Sequence, residues 1–308
     1  MNRYFITSCF MWISLLGAEA ANYTLQIGNV NWSGTAGGYA CFSGTAYPNT
    51  VNFTITKTAN GRQNYAVTAG PSQSTGNYTR QLRSGGNSLN YALYTTSGMT
   101  YQLKAPTTAV ANEVISGSLA GQSSQVVPLS FIYYIAPGQV VPPGTYTDQI
   151  TFSVYPAYNS TGAPDVSQTI TLSVVVGAGA AISIVPTGSS FNSSAPQLTL
   201  DFGTLQTGQA KSCDVLIKQN NNCTVNYSSA NNGVLKQIPT PTADQIPYTL
   251  SASGLNIDLT QPGRITLPSG VSPQPNGNRY PLIITIGTLG NPAAGTYQDQ
   301  IIISVVAQ

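Results

Sequence analysis

One eleven-residue segment occurs twice in this chain. Gly144-Thr145-Tyr146-Thr147-Asp148-Gln149-Ile150-Thr151-Phe152-Ser153-Val154 recurs as Gly295-Thr296-Tyr297-Gln298-Asp299-Gln300-Ile301-Ile302-Ile303-Ser304-Val305, identical at eight of eleven positions. The first copy alternates as a half-buried strand does: Tyr146, Ile150, Phe152 and Val154 on one face, Thr147, Gln149, Thr151 and Ser153 on the other. The two copies differ in the chain that comes after them. The first leads into a turn and another apolar strand, Gln168–Val176; the second leads only into Val306, Ala307 and Gln308. Two homologous domains are expected, the second lacking its closing strand. An all-β domain short of a strand exposes a hydrophobic cleft and unpaired backbone, so it requires a partner.

The beginning of the chain reads as an export signal. Arg3, the apolar run Phe10–Leu16 and the motif Ala18-Glu19-Ala20 predict a signal peptide over residues 1–20, with the exported chain starting at Ala21. The apolar run is too short to span a bilayer.

Composition narrows the chemistry. Only 6% of residues are charged and the net charge is +2, with no cluster of Lys and Arg of the kind that would grip nucleic acid. There is no His, which removes Ser–His and Cys–His nucleophilic arrangements and the commonest metal ligand. The acidic residues are few, and Asp148 and Asp299 are expected to cap turns where the repeated strand begins. Arg80 and Arg83 are expected to satisfy backbone carbonyls or to face solvent. No catalytic residue, metal or cofactor is therefore expected. Cys213 and Cys223 flank five residues and a turn-like Asn220-Asn221-Asn222, a spacing that predicts a disulfide across an antiparallel hairpin in an oxidising compartment. Cys41 is expected to be a buried lone thiol.

Period-two alternation punctuated by Gly, Pro and Asn predicts a β-sandwich in each half. In the first half, strands are expected near 23–30, 51–56, 64–68, 89–95, 99–104, 125–135, 145–154 and 168–176. In the second they are expected near 181–185, 198–202, 213–218, 224–228, 248–253, 282–287 and 296–306. Residues 21–176 form the complete domain, 177–181 a short Gly/Ala linker, and 182–308 the incomplete domain. Leu89-Asn90-Tyr91-Ala92-Leu93 corresponds to Ile246-Pro247-Tyr248-Thr249-Leu250, and Tyr23–Val30 to Ala181–Val185.

Four stretches of the first domain carry a family resemblance: Asn64–Gly70, Arg80–Arg83, Leu89–Tyr94 and Pro143–Asp148. Together they resemble the spore coat protein U domain, the family that supplies subunits of archaic (Csu-type) chaperone–usher pili. The resemblance implies immunoglobulin-like β-sandwich domains, the C-terminal one without its final strand. It also implies a periplasmic chaperone, an outer-membrane usher and an adjacent pilin subunit that donates a strand. Two domains with the complete one first are similar to the family's tip adhesins, which implies passage through the periplasm to a pilus tip at the cell surface and a role in biofilm attachment. The alternatives are an internal pilus or coat subunit, with Tyr23–Val30 as a donor strand, and a secreted carbohydrate-binding module using Tyr side chains and Trp32.

The strand deficit and the distal loops each nominate a set of site residues. Ile182, Ile184, Tyr297, Ile301, Ile303 and Val305 are expected to line the acceptor cleft. The loops 57–63, 105–121 and 155–168 are expected at the end of the first domain away from the linker. There Val110, Val114, Ile115, Leu119, Tyr155, Pro156, Tyr158 and Pro164 would meet an abiotic or host surface by burying apolar area.

Overall fold

Alternating residues become antiparallel strands almost throughout. The computed structural model describes residues 22–32, 38–46, 48–121, 124–194, 197–239, 244–267 and 276–308, so the expected signal peptide lies outside the described residues. The first half contains β1 (Tyr23–Gln26), β2 (Val30–Trp32), β3 (Asn49–Lys57), β4 (Gln63–Ala69), β5 (Arg80–Ser84), β6 (Asn87–Tyr94), β7 (Ile115–Leu119), β8 (Gln125–Ile135), β9 (Gly144–Tyr155) and β10 (Val166–Val176). They pair in the order β1-β3-β8-β6-β5-β9-β10-β2, with β4 joining β9 to β7.

The expected strand 23–30 is two strands. β1 lies antiparallel on β3, the chain crosses over, and β2 lies parallel on β10 at the other end of the path. Consecutive pieces of one segment thus close the sandwich. Gln168 fixes the crossover: its Nε2 donates to Ile27 O at 2.6 Å and its Oε1 accepts from Ile27 N at 3.3 Å. The crossing sends Tyr23, Leu25, Ile27 and Trp32 into one core with Phe53, Phe131, Tyr146 and Phe152.

The second half contains β11 (Ala180–Pro186), β12 (Ala210–Gln219), β13 (Cys223–Ser229), β14 (Val234–Ile238), β15 (Gln245–Ala252), β16 (Leu255–Ile257), β17 (Gly263–Leu267), β18 (Asn278–Ile286), β19 (Thr296–Gln298) and β20 (Ile301–Ala307). One sheet runs β11-β12-β18-β15-β14-β19 and the other β17-β13-β20. This repeats the first half pairing for pairing. β1-β3-β8-β6-β5-β9 corresponds to β11-β12-β18-β15-β14-β19, and β7-β4-β9 corresponds to β17-β13-β20. The agreement extends to register: Arg83 faces Thr147 and Lys236 faces Gln298, equivalent positions of the repeated segment. A second, separate core gathers Val215, Ile217, Val225, Tyr227, Ile246, Leu250, Leu282 and Ile286.

Each copy of the repeated strand begins with the same corner. Tyr146 Oη donates to Pro142 O and Tyr297 Oη to Ala293 O, both at 2.9 Å and both four residues upstream. Such a tyrosine corner belongs to immunoglobulin-like sandwiches, and both halves have that architecture.

Several expected strands differ. Residues 99–104 contribute only an isolated bridge, Tyr94 to Gln102, and residues 198–202 form no strand. Conversely β5, β7, β14 and β17 arise from segments too polar or too short to signal themselves by alternation. The second copy of the repeat is broken at Asp299 and Gln300: β19 pairs with β14 and β20 with β13, whereas β9 makes the equivalent pairs with β5 and β4 as one strand with β10 running along it.

The expected disulfide is absent: Cys41, Cys213 and Cys223 are all free and buried. β12 and β13 do not form a hairpin ladder. β12 lies between β11 and β18, and β13 lies between β17 and β20 in the opposite sheet. Cys213 also sits six residues before the end of β12, roughly 20 Å of strand from the turn that leads to Cys223, beyond the reach of a disulfide.

Candidate functional site

The two copies of the repeated strand differ in what lies beside them. β9 pairs with β10 from Gly144–Val176 to Val154–Val166. Among the described residues no strand pairs with the outer edge of β20. The side chains respond accordingly. Tyr146, Ile150, Phe152 and Val154 are all 0% exposed, whereas Tyr297, Ile301, Ile303 and Val305 are only half-buried.

The gap beside β20 is a groove of about 1080 Å³. Of the residues expected in the acceptor cleft, Ile184, Tyr297, Ile301 and Ile303 line this groove. Ile182 and Val305 are not in its lining; they pack, partly buried, against the same core. Leu282 and Ile286 form its floor.

Sequence reasoning missed the opposite wall, residues 197–205. Leu198, Leu200, Phe202 and Leu205 turn toward the core, while Thr199 and Asp201 are exposed. The segment keeps the alternation that suggested a strand, and it is held by Gln209 Nε2 donating to Phe202 O at 2.8 Å and by Lys211 Nζ donating to Asp201 O. It comes after β11 as β2 comes after β1. In the first domain β2 is a strand because β10 lies beside it; residues 198–202 have alternation without a ladder.

Polar groups are settled at one end of the groove. Asp299, on its rim, accepts from Tyr248 Oη at 2.6 Å, from Asn231 N at 3.0 Å and from Gln300 N at 2.7 Å, and it also accepts from Ser229 Oγ. Burial, then the bond to Asp299, raises the Tyr248 hydroxyl above the usual phenol range, so it donates as a neutral group. Cys213 also lines the groove, and burial, then the Asp214 charge, pushes its thiol up to about 11. Among the described residues no group of three or more Cys, Asp and Glu could hold a metal ion.

The surface residues are more scattered than expected. Registers place Leu119 beside Gln63 and Ala66 beside Tyr155, so the 57–63 turn, the end of β7 and the 155–166 hairpin share the end of the domain away from Val176. Residues 105–121 are not one loop. They hold a 3-10 turn, Ala111–Glu113, and then β7. Val110 is 59% exposed, but Val114 is buried, and Ile115 and Leu119 pack partly buried on the first core. β7 exists because its residues complete the β4 edge, which turns Ile115 and Leu119 inward. Tyr158 is 41% exposed, Pro156 is exposed, and Tyr155 and Pro164 are half-buried.

Lys57 ties this end together: fully buried, its Nζ donates to Gly61 O at 2.6 Å and to Gly121 O at 2.9 Å. Arg80 does what the sequence predicts. Its Nη2 donates to Leu103 O at 2.7 Å, Gly70 O at 2.9 Å and Ala69 O at 3.3 Å. Arg83 is exposed and reaches the Gln81 side chain at 3.3 Å.

The solved structures to which the chain is similar include a chain of the CsuC–CsuE chaperone–tip adhesion subunit pre-assembly complex from archaic chaperone–usher Csu pili of Acinetobacter baumannii, at 13% identity and a TM-score of 0.47, covering 92% of this chain and 99% of that one. The CupB6 tip adhesin of Pseudomonas aeruginosa is similar at 9% identity and a TM-score of 0.33, covering 92% and 94%. CfaE, the adhesive subunit of CFA/I fimbria of enterotoxigenic Escherichia coli, is similar at 14% and 0.32, covering 94% and 79%. Among curated proteins no sequence matches. One family match is specific to a region: it begins at Asn22, just before β1, and ends at Ser153 within β9, short of β10. Over residues 22–153 this chain matches the family model of the Spore Coat Protein U domain.

Proposed function

We propose that this chain is the tip adhesin subunit of an archaic chaperone–usher pilus, with its second domain accepting a strand from a neighbouring subunit. The observation that carries this reading is the groove between β20 and residues 198–202, at the position that β10 fills in the first domain. The occupant takes the path of β10, antiparallel to β20 and parallel to residues 198–202. β10 buries Ile170, Leu172, Val174 and Val176 at alternate positions, facing Ile150, Asp148, Tyr146 and Gly144. Transferred to the repeat, the occupant has apolar residues at four alternate positions facing Ile301, Asp299, Tyr297 and Gly295. Each aliphatic side chain buried there contributes roughly 1.5–3 kcal/mol before the cost of ordering the donor, and the backbone adds a ladder of hydrogen bonds.

A periplasmic chaperone is the first occupant in this reading, the donor segment of the next pilin replaces it, and an outer-membrane usher assembles the fibre. The first domain, whose β10 is its own, is free to face outward. Its end away from the linker meets an abiotic or host surface through Tyr158 and Pro156, with biofilm attachment as the outcome. β1 is paired within its own domain, from Tyr23–Lys57 to Gln26–Thr54, which supports the tip over the internal-subunit alternative.

The test uses the full chain and a peptide with the sequence of Val166–Val176. Saturable binding is expected, with a peptide carrying Thr at the four apolar positions failing to bind. Equal binding of both peptides, or of neither, would sink the strand-acceptor reading.

A further inference from the structure

We infer that Asn220 is a lock that holds the two domains in one fixed relative orientation. Asn220 lies in the turn between β12 and β13 and is 2% exposed. Its Nδ2 donates to Gly177 O at 2.9 Å and to Val141 O at 3.1 Å, and Cys41 Sγ lies 3.5 Å from the same nitrogen. Its Oδ1 accepts from Gly179 N at 2.7 Å, and its backbone N donates to Gly179 O at 3.2 Å. A single carboxamide from the second domain therefore grips the linker on both sides of Ala178 and reaches into the first domain.

The partners of Asn220 are themselves anchored. Tyr39 N donates to Val175 O at 2.8 Å, which holds the Gly38–Phe42 segment against the end of β10. Gly38 takes a left-handed φ of +107°, and a Cβ there would sit 2.1 Å from Val175 O, so the approach requires glycine. Tyr39 Oη donates to Ala136 O at 2.9 Å and accepts from Gln139 N at 2.8 Å, bracing the loop that carries Val141. The Cys41 thiol donates to Val141 O at 3.7 Å. Phe42 closes over Gly179, where a Cβ would lie 3.4 Å from its ring.

By composition, Gly177-Ala178-Gly179 would be a freely turning connection. Asn220 removes that freedom. An amide supplies two donors and an acceptor in one plane, which matches two carbonyls and one N–H here. Aspartate would set a carboxylate against Gly177 O and Val141 O, and alanine would strip Gly177 O and Gly179 N–H of their Asn220 partner and leave Val141 O only the Cys41 thiol. The lock stands independently of adhesion and of strand acceptance, since it concerns only the junction.

Domain orientation is measured on the full chain with spin labels at Val126→Cys and Leu255→Cys, exposed positions in the first and second domains; the native cysteines are buried. A single narrow distance distribution is expected with Asn220 present. Asn220→Ala and Asn220→Asp are expected to lose it, giving several distances while each domain keeps its own unfolding transition. A distribution that stays single and narrow in Asn220→Ala overturns the lock. Should the variants fail to fold, the unsubstituted junction still decides: protected Asn220 carboxamide protons in hydrogen exchange support it, and exchange as fast as that of exposed Asn159 overturns it.

Discussion

Tyr91 Oη donates to Asp148 Oδ2 at 2.7 Å, and the duplicated strand reproduces the pair as Tyr248 and Asp299 at 2.6 Å. The two pairs differ in their surroundings. Asp148 is 5% exposed, also accepts from Ser74 N at 3.1 Å, and belongs to a domain that buries Arg80. The position that pairs with Tyr91 is Arg80; the one bonded to Tyr248 is Gly233, and Asp299 accepts from the Ser229 hydroxyl and from two backbone N–H groups beside the groove. Removing one hydroxyl tests each pair. Tyr91→Phe is expected to destabilise the first domain by about 2 kcal/mol, as for a buried hydrogen bond to a charged group, and Tyr248→Phe to cost about 1 kcal/mol. Urea unfolding followed by domain-specific signals measures both.

Alkaline pH should weaken both domains. Burial, the leading cause in each case, raises the hydroxyls of Tyr39 and Tyr227 from 10.0 to about 12. The folded state therefore keeps protons that the unfolded chain loses. The stability these groups contribute is complete below pH 10 and falls as pH rises toward 12. Melting temperatures across that window check the direction; a melting temperature that rises through it would contradict the assignment.

The thiols should behave as three free, protected groups. Burial raises all of Cys41, Cys213 and Cys223 above the ordinary thiol value. Alkylation under native conditions is expected to be slow at each. Complete labelling in denaturant should need no reductant, and mass spectrometry of the labelled peptides reads this directly. Labelling of Cys223 only after reduction would restore the disulfide.

On the first domain, burial separates two kinds of apolar residue. Val114→Ala should cost about 2 kcal/mol through the cavity it opens. Tyr158→Ser should leave stability within about 0.5 kcal/mol and reduce retention of the full chain on polystyrene. Equal retention of the two proteins would remove Tyr158 from the binding surface.

Adjacent residues of β20 face opposite ways, which gives an internal control for the groove. Ile303 lines it, whereas Val306 is 53% exposed and lies outside the lining. Ile303→Asp is expected to weaken capture of the Val166–Val176 peptide by at least about tenfold, since a charge would be buried against an apolar donor. Val306→Asp should leave capture unchanged. Isothermal titration of the two variants compares them.

Much of this protein is legible in its sequence because side-chain alternation is a local property. The period of two in 144–154 and 295–305 identifies the duplication, the all-β class and the inward faces of both copies. The same alternation in Leu198, Leu200 and Phe202 marks a core-facing segment, although the ladder it suggests does not form. Pairing is not local, and there the tertiary structure decides. Cys213 and Cys223 are close in the chain yet belong to opposite sheets, because β12 and β13 cross between layers. Val114 looks like a loop residue until β7 completes the β4 edge. Asn220 reads as one turn asparagine among several, and only the meeting of Val141, Gly177 and Gly179 around it makes it a junction. Periodicity determines which side of a strand is apolar; the neighbour that covers it is selected by packing between segments far apart in the chain, and among the described residues no strand lies along the outer edge of β20.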